Sequence, residues 1–267
     1  MEVLGYLASI LMGLSLGLIG GGGSILTVPI LVYLFKTDPV LATAYSLFIV
    51  GATALVGGFF YLKKGEVDLK TGFIFAIPSF IGVYLTRAYV IPHLPDPVFS
   101  IGGVSLSKPL LIMLVFAVLM LVASVSMIRT KKEKAKATPL SPLMKGLLIS
   151  LEGLIVGGIT GFVGAGGGFL IIPALVLLVG MPMKIAVGTS LFIIAAKSLI
   201  GFLGDLQRQP SIEWPLLFII AGIAVAGLFL GMGFSKKVSE QTLKKGFGYF
   251  VLIMGSFILI DQLRALF

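Results

Sequence analysis

The chain contains no cysteine, which excludes disulfides and thiolate metal sites and leaves the redox compartment unread. It has one histidine, His93, so a histidine-rich metal cluster is excluded too, and neither metal nor cofactor is expected. Charge is also scarce. Charged residues make up 12% of the 267 residues and apolar residues 58%, whereas a soluble domain carries about 25% charge. With a mean hydropathy of +1.13, the chain reads as one solvated by a lipid bilayer. The net charge of +9 would suggest nucleic acid in a soluble protein. Here the basic residues gather in short segments between apolar runs, as cytoplasmic loops do, and no nucleic-acid partner is expected. Met1-Glu2-Val3 has no basic segment, so a cleaved signal peptide is not expected either.

What the chain has instead is long apolar runs: Val3–Phe35, Val40–Leu62, Thr71–Ile91, Pro109–Ile128, Met144–Val179, Lys184–Gly204, Trp214–Phe234 and Gly246–Phe267. One crossing takes about 20 residues. The first and fifth runs are too long for that, at about 50 Å each if continuously helical. Both are interrupted by glycine, at Gly20–Ser24 and at Gly164–Gly168. Consecutive glycines are costly inside a helix, so each long run reads as a hairpin or a broken helix.

The two interruptions belong to a repeat. Gly17–Pro29 aligns with Gly161–Pro173 at an offset of 144, and the same offset places Ala42 on Ala186, Ser46–Ile49 on Ser190–Ile193, Leu55 on Leu199 and Gly57 on Gly201. The expected fold is all-α and polytopic, with two inverted-topology repeats, each a glycine-broken helix hairpin plus three transmembrane helices. The boundaries are residues 1–129 for the first repeat, 130–143 for a basic linker and 144–267 for the second repeat. If each broken run enters and leaves on one side, each repeat crosses three times and the second is inverted. With the linker in the cytoplasm, the inside holds Lys63, Lys64, Lys70, six basic residues from Arg129 to Lys145, Lys184, Lys236, Lys237, Lys244 and Lys245. The outside holds only Lys36, Lys108, Arg208 and Arg264. A parallel arrangement would put the Lys236–Lys245 group outside, against the positive-inside bias. Both termini are then expected outside, in a multi-pass cell-membrane protein whose apolar outer faces allow a homodimer.

Opened backbone at membrane depth is tolerated only where protein or a cavity shelters it, and inverted-repeat transporters place their sites at such breaks. A helix restarting at Ser24-Ile25 or Gly168-Phe169 would aim free amides and a positive dipole end at the cavity, which favours an anion. The candidate binding residues are Gly21, Gly22, Gly23 and Ser24 in one break and Gly166, Gly167 and Gly168 in the other. Ser46 and Ser190, at matching repeat positions, and Thr189 add hydroxyls. Close helix packing is the other use of glycine, and it suits Gly13-x-x-x-Gly17, Gly153-x-x-x-Gly157-x-x-x-Gly161 and Gly227-x-x-x-Gly231.

Lys197 lies well inside an apolar run and aligns with Thr53. A buried ammonium is expensive and faces a cavity or a partner, so Lys197 reads as an anion ligand or a coupling group, or else as a snorkelling side chain. Glu152 is the other coupling candidate; it would pair with Lys197, carry a proton, or sit at the inner interface beside Lys145. Arg87, near a run's end, reads as snorkelling. Trp214 reads as an interfacial anchor and His93 as an outer-loop residue.

The pattern resembles the sulfite exporter TauE/SafE family of membrane permeases. Gly17–Pro29, Gly161–Pro173, Ala42–Phe48 and Ala186–Gly201 carry the resemblance. It implies transport of small anions, often sulfur-containing ones such as sulfite or organosulfonates, with export as the family expectation. The leading function is therefore a secondary transporter of a small anionic solute by alternating access, driven by a proton or ion gradient, and not an enzyme. The alternatives are an uncoupled anion channel and an intramembrane enzyme, which would need His93 beside a serine, or a second carboxylate beside Asp205.

Overall fold

A computed structural model describes residues 2–101, 104–129, 142–164, 166–177, 179–206, 212–234 and 240–265. Most of the expected linker, Ala165 of the second break, and the basic residues Arg208, Lys236 and Lys237 lie outside the described residues. Among the described residues the fold is all-α apart from one small hairpin. Helix α1 (Glu2–Ile19) ends at the first break, and a returning segment follows. That segment is a tight 3-10 turn over Gly21–Leu26, one α turn at Thr27–Pro29, and a wide π turn over Ile30–Leu34. Then come α2 (Pro39–Lys63), α3 (Leu69–Leu85, extended by a π turn over Thr86–Val90), α4 (Lys108–Ile128), α5 (Pro142–Val163), α6 (Gly168–Leu177), α7 (Met183–Leu206), α8 (Trp214–Phe234) and α9 (Glu240–Arg264). Among the described residues, six helices are long and apolar enough to cross a membrane. An antiparallel pair, Phe99–Ile101 with Val104–Leu106, was not expected; its signal is the alternation of apolar residues and serine after Pro97.

Local chemistry sets the helix starts. Asp38 Oδ1 accepts from the Val40 and Leu41 amides at 2.9 and 3.3 Å, with Pro39 opening α2. Asp68 accepts from Thr71 N at 3.1 Å at the head of α3, and Ser107 caps α4. The returning segment folds back along α1. Thr27 Oγ1 donates to Met12 Sδ at 2.8 Å, and the Phe35 ring meets Tyr6 edge-on with centroids 5.3 Å apart. The chain thus leaves the first break at the same end of α1 where it began.

The two halves of the chain exchange helices. The first helix of each half packs on the other half: α1 on α8, and α5 on α3. Both pairs run parallel and both are glycine seams. A Cβ on Gly13 or Gly17 would land on the carbonyls of Ala224 or Leu228, and one on Gly227 or Gly231 on those of Ile10 or Leu14. Across the other seam, Gly153, Gly157 and Gly161 meet the backbone of Phe75, Ser79 and Val83. These spaced glycines therefore serve packing. Between these seams α2 packs on α7, and α4 on α9. Both pairs run antiparallel. Gly51 meets Leu199 while Gly57 meets Leu191, and Gly248 meets Met127 while Gly255 meets Met120.

The seams predict a contrast. Gly227→Val drives a branched side chain into the Ile10 carbonyl, and overpacking of this kind costs about 1–3 kcal/mol. At Gly222, on the same helix, an added methyl would have nothing within 4 Å. In detergent, Gly227→Val should lower the melting midpoint by several degrees while Gly222→Ala does not; equal melting would remove the seam from the packing account.

Candidate functional site

The two breaks use the same backbone device at matching positions. Gly20 has φ 72° and Gly164 has φ 70°, and they are 144 residues apart. Gly166 and Gly167 follow at φ 63° and 71°. These left-handed values suit glycine and strain any residue with a Cβ. Past the breaks, the chains restart against one another. A Cβ on Gly21 would fall on the Gly168 backbone, and one on Gly168 on the Gly21 backbone.

The second restart, at Gly168, is where the sequence placed it. The first is three residues earlier than expected, at Gly21 and not at Ser24. Contact with Gly168 selects a residue without a side chain there. Ser24 consequently does not cap a helix; its hydroxyl turns back and donates to Gly21 O at 2.7 Å. It still faces the other break, since a methyl on Gly166 would stand 3.3 Å from Ser24 Oγ. Gly22 lies within the 3-10 turn. Gly23 faces back onto α1, against Ser15 and Leu16.

Among the hydroxyls, Ser190 borders the first break: a methyl on Gly20 would stand 3.3 Å from its Oγ, which donates to Val187 O at 2.8 Å. Ser46 is buried, and its Oγ has no hydrogen-bond partner among the described residues. It lies on α2 between Thr43, which packs on Gly164, and Val50, which packs on Gly166. Thr189 is turned elsewhere. Its hydroxyl accepts from Asp68 N at 2.9 Å, in the turn before α3.

Lys197 stands against the second break. It is 0% exposed, so snorkelling does not describe it. Its ammonium donates to Thr160 Oγ1 at 2.8 Å, and a Cβ on Gly167 would come within 2.7 Å of Nζ. No carboxylate pairs with it among the described residues. Glu152 is half-buried on α5, eight residues before Thr160 and so about 12 Å along the axis; the structure does not bring it to Lys197. The matching positions in the first half are Thr53 and Leu16, and Thr53 merely donates to Ile49 O at 2.7 Å. The ammonium beside Gly167 therefore has no counterpart at the matching position of the first half.

Several residues were missed. Thr160 sits one turn before Gly164, a position the sequence could have flagged. Arg87 is 1% exposed and not snorkelling; its Nη1 donates to Thr43 Oγ1 at 3.0 Å and stands 3.3 Å from Asp205 Oδ2. His93 is exposed, with Nδ1 2.7 Å from Tyr89 O and no serine in its hydrogen bonding.

Residues 5–258 match the family described as "Sulfite exporter TauE/SafE". The chain belongs to that family. It is 31% identical over 253 residues to a probable membrane transporter protein of Xylella fastidiosa strain 9a5c, covering 93% of this chain and 91% of that one. It is 29% identical to the probable membrane transporter protein YunE of Bacillus subtilis, at 85% of each chain, and 25% identical to MJ0441 of Methanocaldococcus jannaschii, at 94% of each. No solved structure matches. As a TauE/SafE family member with several apolar spans, the protein is a multi-pass membrane transporter.

Two glycines separate strain from crowding at the break. Gly167 and Gly180 share a φ near 71°, but only Gly167 has neighbours, namely Thr160 and Lys197. Gly180→Ala should cost about 1 kcal/mol through backbone strain alone. Gly167→Ala should cost clearly more in the same melting assay. Indistinguishable midpoints would mean that the break is not closely packed in solution.

Proposed function

We propose that the chain is a secondary transporter for small oxyanions, sulfite and organosulfonates among them, that binds its solute where the two glycine breaks meet and works by alternating access. Lys197 carries the proposal: a buried ammonium held by one hydroxyl, with no carboxylate among the described residues, against left-handed glycines at the head of α6. A lone buried cation is expensive, and an arriving anion relieves the cost. The positive dipole end of α6 adds a field of the same sign. Ser46, whose hydroxyl has no partner among the described residues, adds a donor; Ser24 and Ser190 border the breaks but already donate to backbone carbonyls. The direct contact of Gly21 with Gly168 favours a closed, alternating site over an open channel.

The antiparallel course of α2 along α7 and of α4 along α9 supports inverted repeats, because these pairs join matching members of the two halves. The proposed orientation puts the linker in the cytoplasm and both termini outside. The natural absence of cysteine makes this directly measurable. Single cysteines replacing Lys64 and Lys245 should be labelled only from the cytoplasmic side, and those replacing His93 and Glu213 only from outside. Outside labelling at Lys245→Cys would sink the inversion.

Glu152 is proposed as a coupling carboxylate that acts apart from Lys197. The reading as a whole is tested in proteoliposomes loaded for sulfite counterflow. Lys197→Met should lose transport at least about tenfold while melting no lower than the wild type, since replacing a buried charge with an apolar isostere is neutral or stabilising. Glu152→Gln should retain counterflow but lose its response to an imposed proton gradient. Unimpaired counterflow in Lys197→Met would end the assignment of that residue.

A further inference from the structure

A second buried cation borders the same break from the other side. Arg87 lies in the π turn that extends α3, a kind of irregularity that recurs at functional sites. Its guanidinium is only partly occupied. Nη1 serves Thr43 and Asp205, as described, whereas Nε and Nη2 are buried without a hydrogen-bond partner among the described residues. Those two nitrogens carry parallel N–H bonds along one edge, the fork that grips two oxygens of a single oxyanion. Burying both donors without a protein partner is costly, and an ion pair alone would not require it. The surroundings tie this edge to the break. Thr43, which accepts from Nη1, packs its backbone directly on Gly164, and a Cβ on Gly204 would stand 3.2 Å from Arg87 Cβ. Lys197 leans on Gly167 at the other end of the same turn. Along α7, Lys197 and Asp205 are eight residues apart, about 12 Å.

We propose that the Nε–Nη2 edge of Arg87 is a second oxyanion station, next to the break and on the path between Lys197 and the C-terminal end of α7. It takes an anion that presents two oxygens on one face, such as sulfite, a sulfonate or a carboxylate. A halide, with a single spherical contact, gains little from the fork. Asp205 holds the guanidinium in place while the station is empty and competes with the solute for its charge. The path between the two cations rests on the reading of Lys197; the station itself does not.

The test is calorimetric titration of the full-length protein in detergent with sodium sulfite and, separately, sodium chloride. The wild type should bind two sulfites, and Lys197→Met should keep one. Arg87→Lys preserves the charge but not the fork, and should weaken the remaining sulfite binding by about tenfold with chloride binding unmoved. Asp205→Asn removes the competitor and should tighten sulfite several-fold, whereas a merely structural ion pair predicts loss or no change. The station is overturned if the wild type binds a single sulfite that Lys197→Met abolishes, if folded Arg87→Lys binds as the wild type does, or if Asp205→Asn fails to tighten. Should Arg87→Lys not fold, the stoichiometry and Asp205→Asn decide between these outcomes. Wild-type sulfite binding and counterflow in Lys197→Met would instead remove the Lys197 reading and leave the Arg87 station standing.

Discussion

The backbone contact between Gly21 and Gly168 is the constraint around which the remaining structure is arranged. Opened chain inside a bilayer has amides and carbonyls that lipid cannot satisfy, so it persists only where protein covers it. Here each break covers the other. That requires two restarts without side chains, meeting Cα to Cα, and it requires the helices behind them to be held at matching depth. The parallel seams supply that register: α1 against α8 through Gly13, Gly17, Gly227 and Gly231, and α5 against α3 through Gly153, Gly157 and Gly161. A side chain at any of these positions would push apart the two helices that lead into or flank a break.

Electrostatics adds a second layer to this frame. Both buried cations sit next to the break that begins at Gly164, and their environments differ. Arg87 has Asp205 and Thr43 on one nitrogen, so its charge is balanced in place. Among the described residues Lys197 has Thr160 alone. Removing one partner from a buried pair leaves an uncompensated charge and is strongly destabilising, whereas an unpaired ammonium already carries that cost in the resting protein. Under the proposed function this difference has a use. The charge that lacks a counter-ion has the most to gain from an arriving anion, and the charge that has one releases it more easily.

The sequence made the breaks legible because consecutive glycines conflict with helix formation whatever surrounds them, and the constant offset of 144 made the doubling legible with them. Lys197 was legible as a charge in an apolar run. What stayed hidden depended on which helix lies against which. Thr189 and Ser190 are neighbours in sequence, but one residue turns a helix by about 100°, so Ser190 borders Gly20 while Thr189 meets the turn at Asp68. Arg87 lies near the end of its run, where snorkelling is the simplest reading; only the approach of α7 brings Asp205 to it. Capping preference pointed to Ser24 as the first restart, and backbone packing against Gly168 overrode that preference.

The two halves share the left-handed glycine that opens each break and differ in charge, and that difference bears on how such a site would work. The device at Gly20 and Gly164 is the same, and so are the exchanged helix pairs. Yet the positions that hold Thr160 and Lys197 in one half hold Leu16 and Thr53 in the other. Under the proposed inverted repeat, a two-fold frame would present its break to either side of the membrane by the same motion, because symmetric packing gives two equivalent arrangements of the backbone. A second unpaired ammonium at the matching position would place two like charges on either side of the contact of Gly21 with Gly168, and in a low-dielectric interior they would repel. A single unpaired ammonium, with Arg87 neutralised by Asp205, avoids that repulsion while keeping the exchange of faces. In the proposed mechanism, therefore, the symmetry belongs to the motion and the asymmetry to the binding.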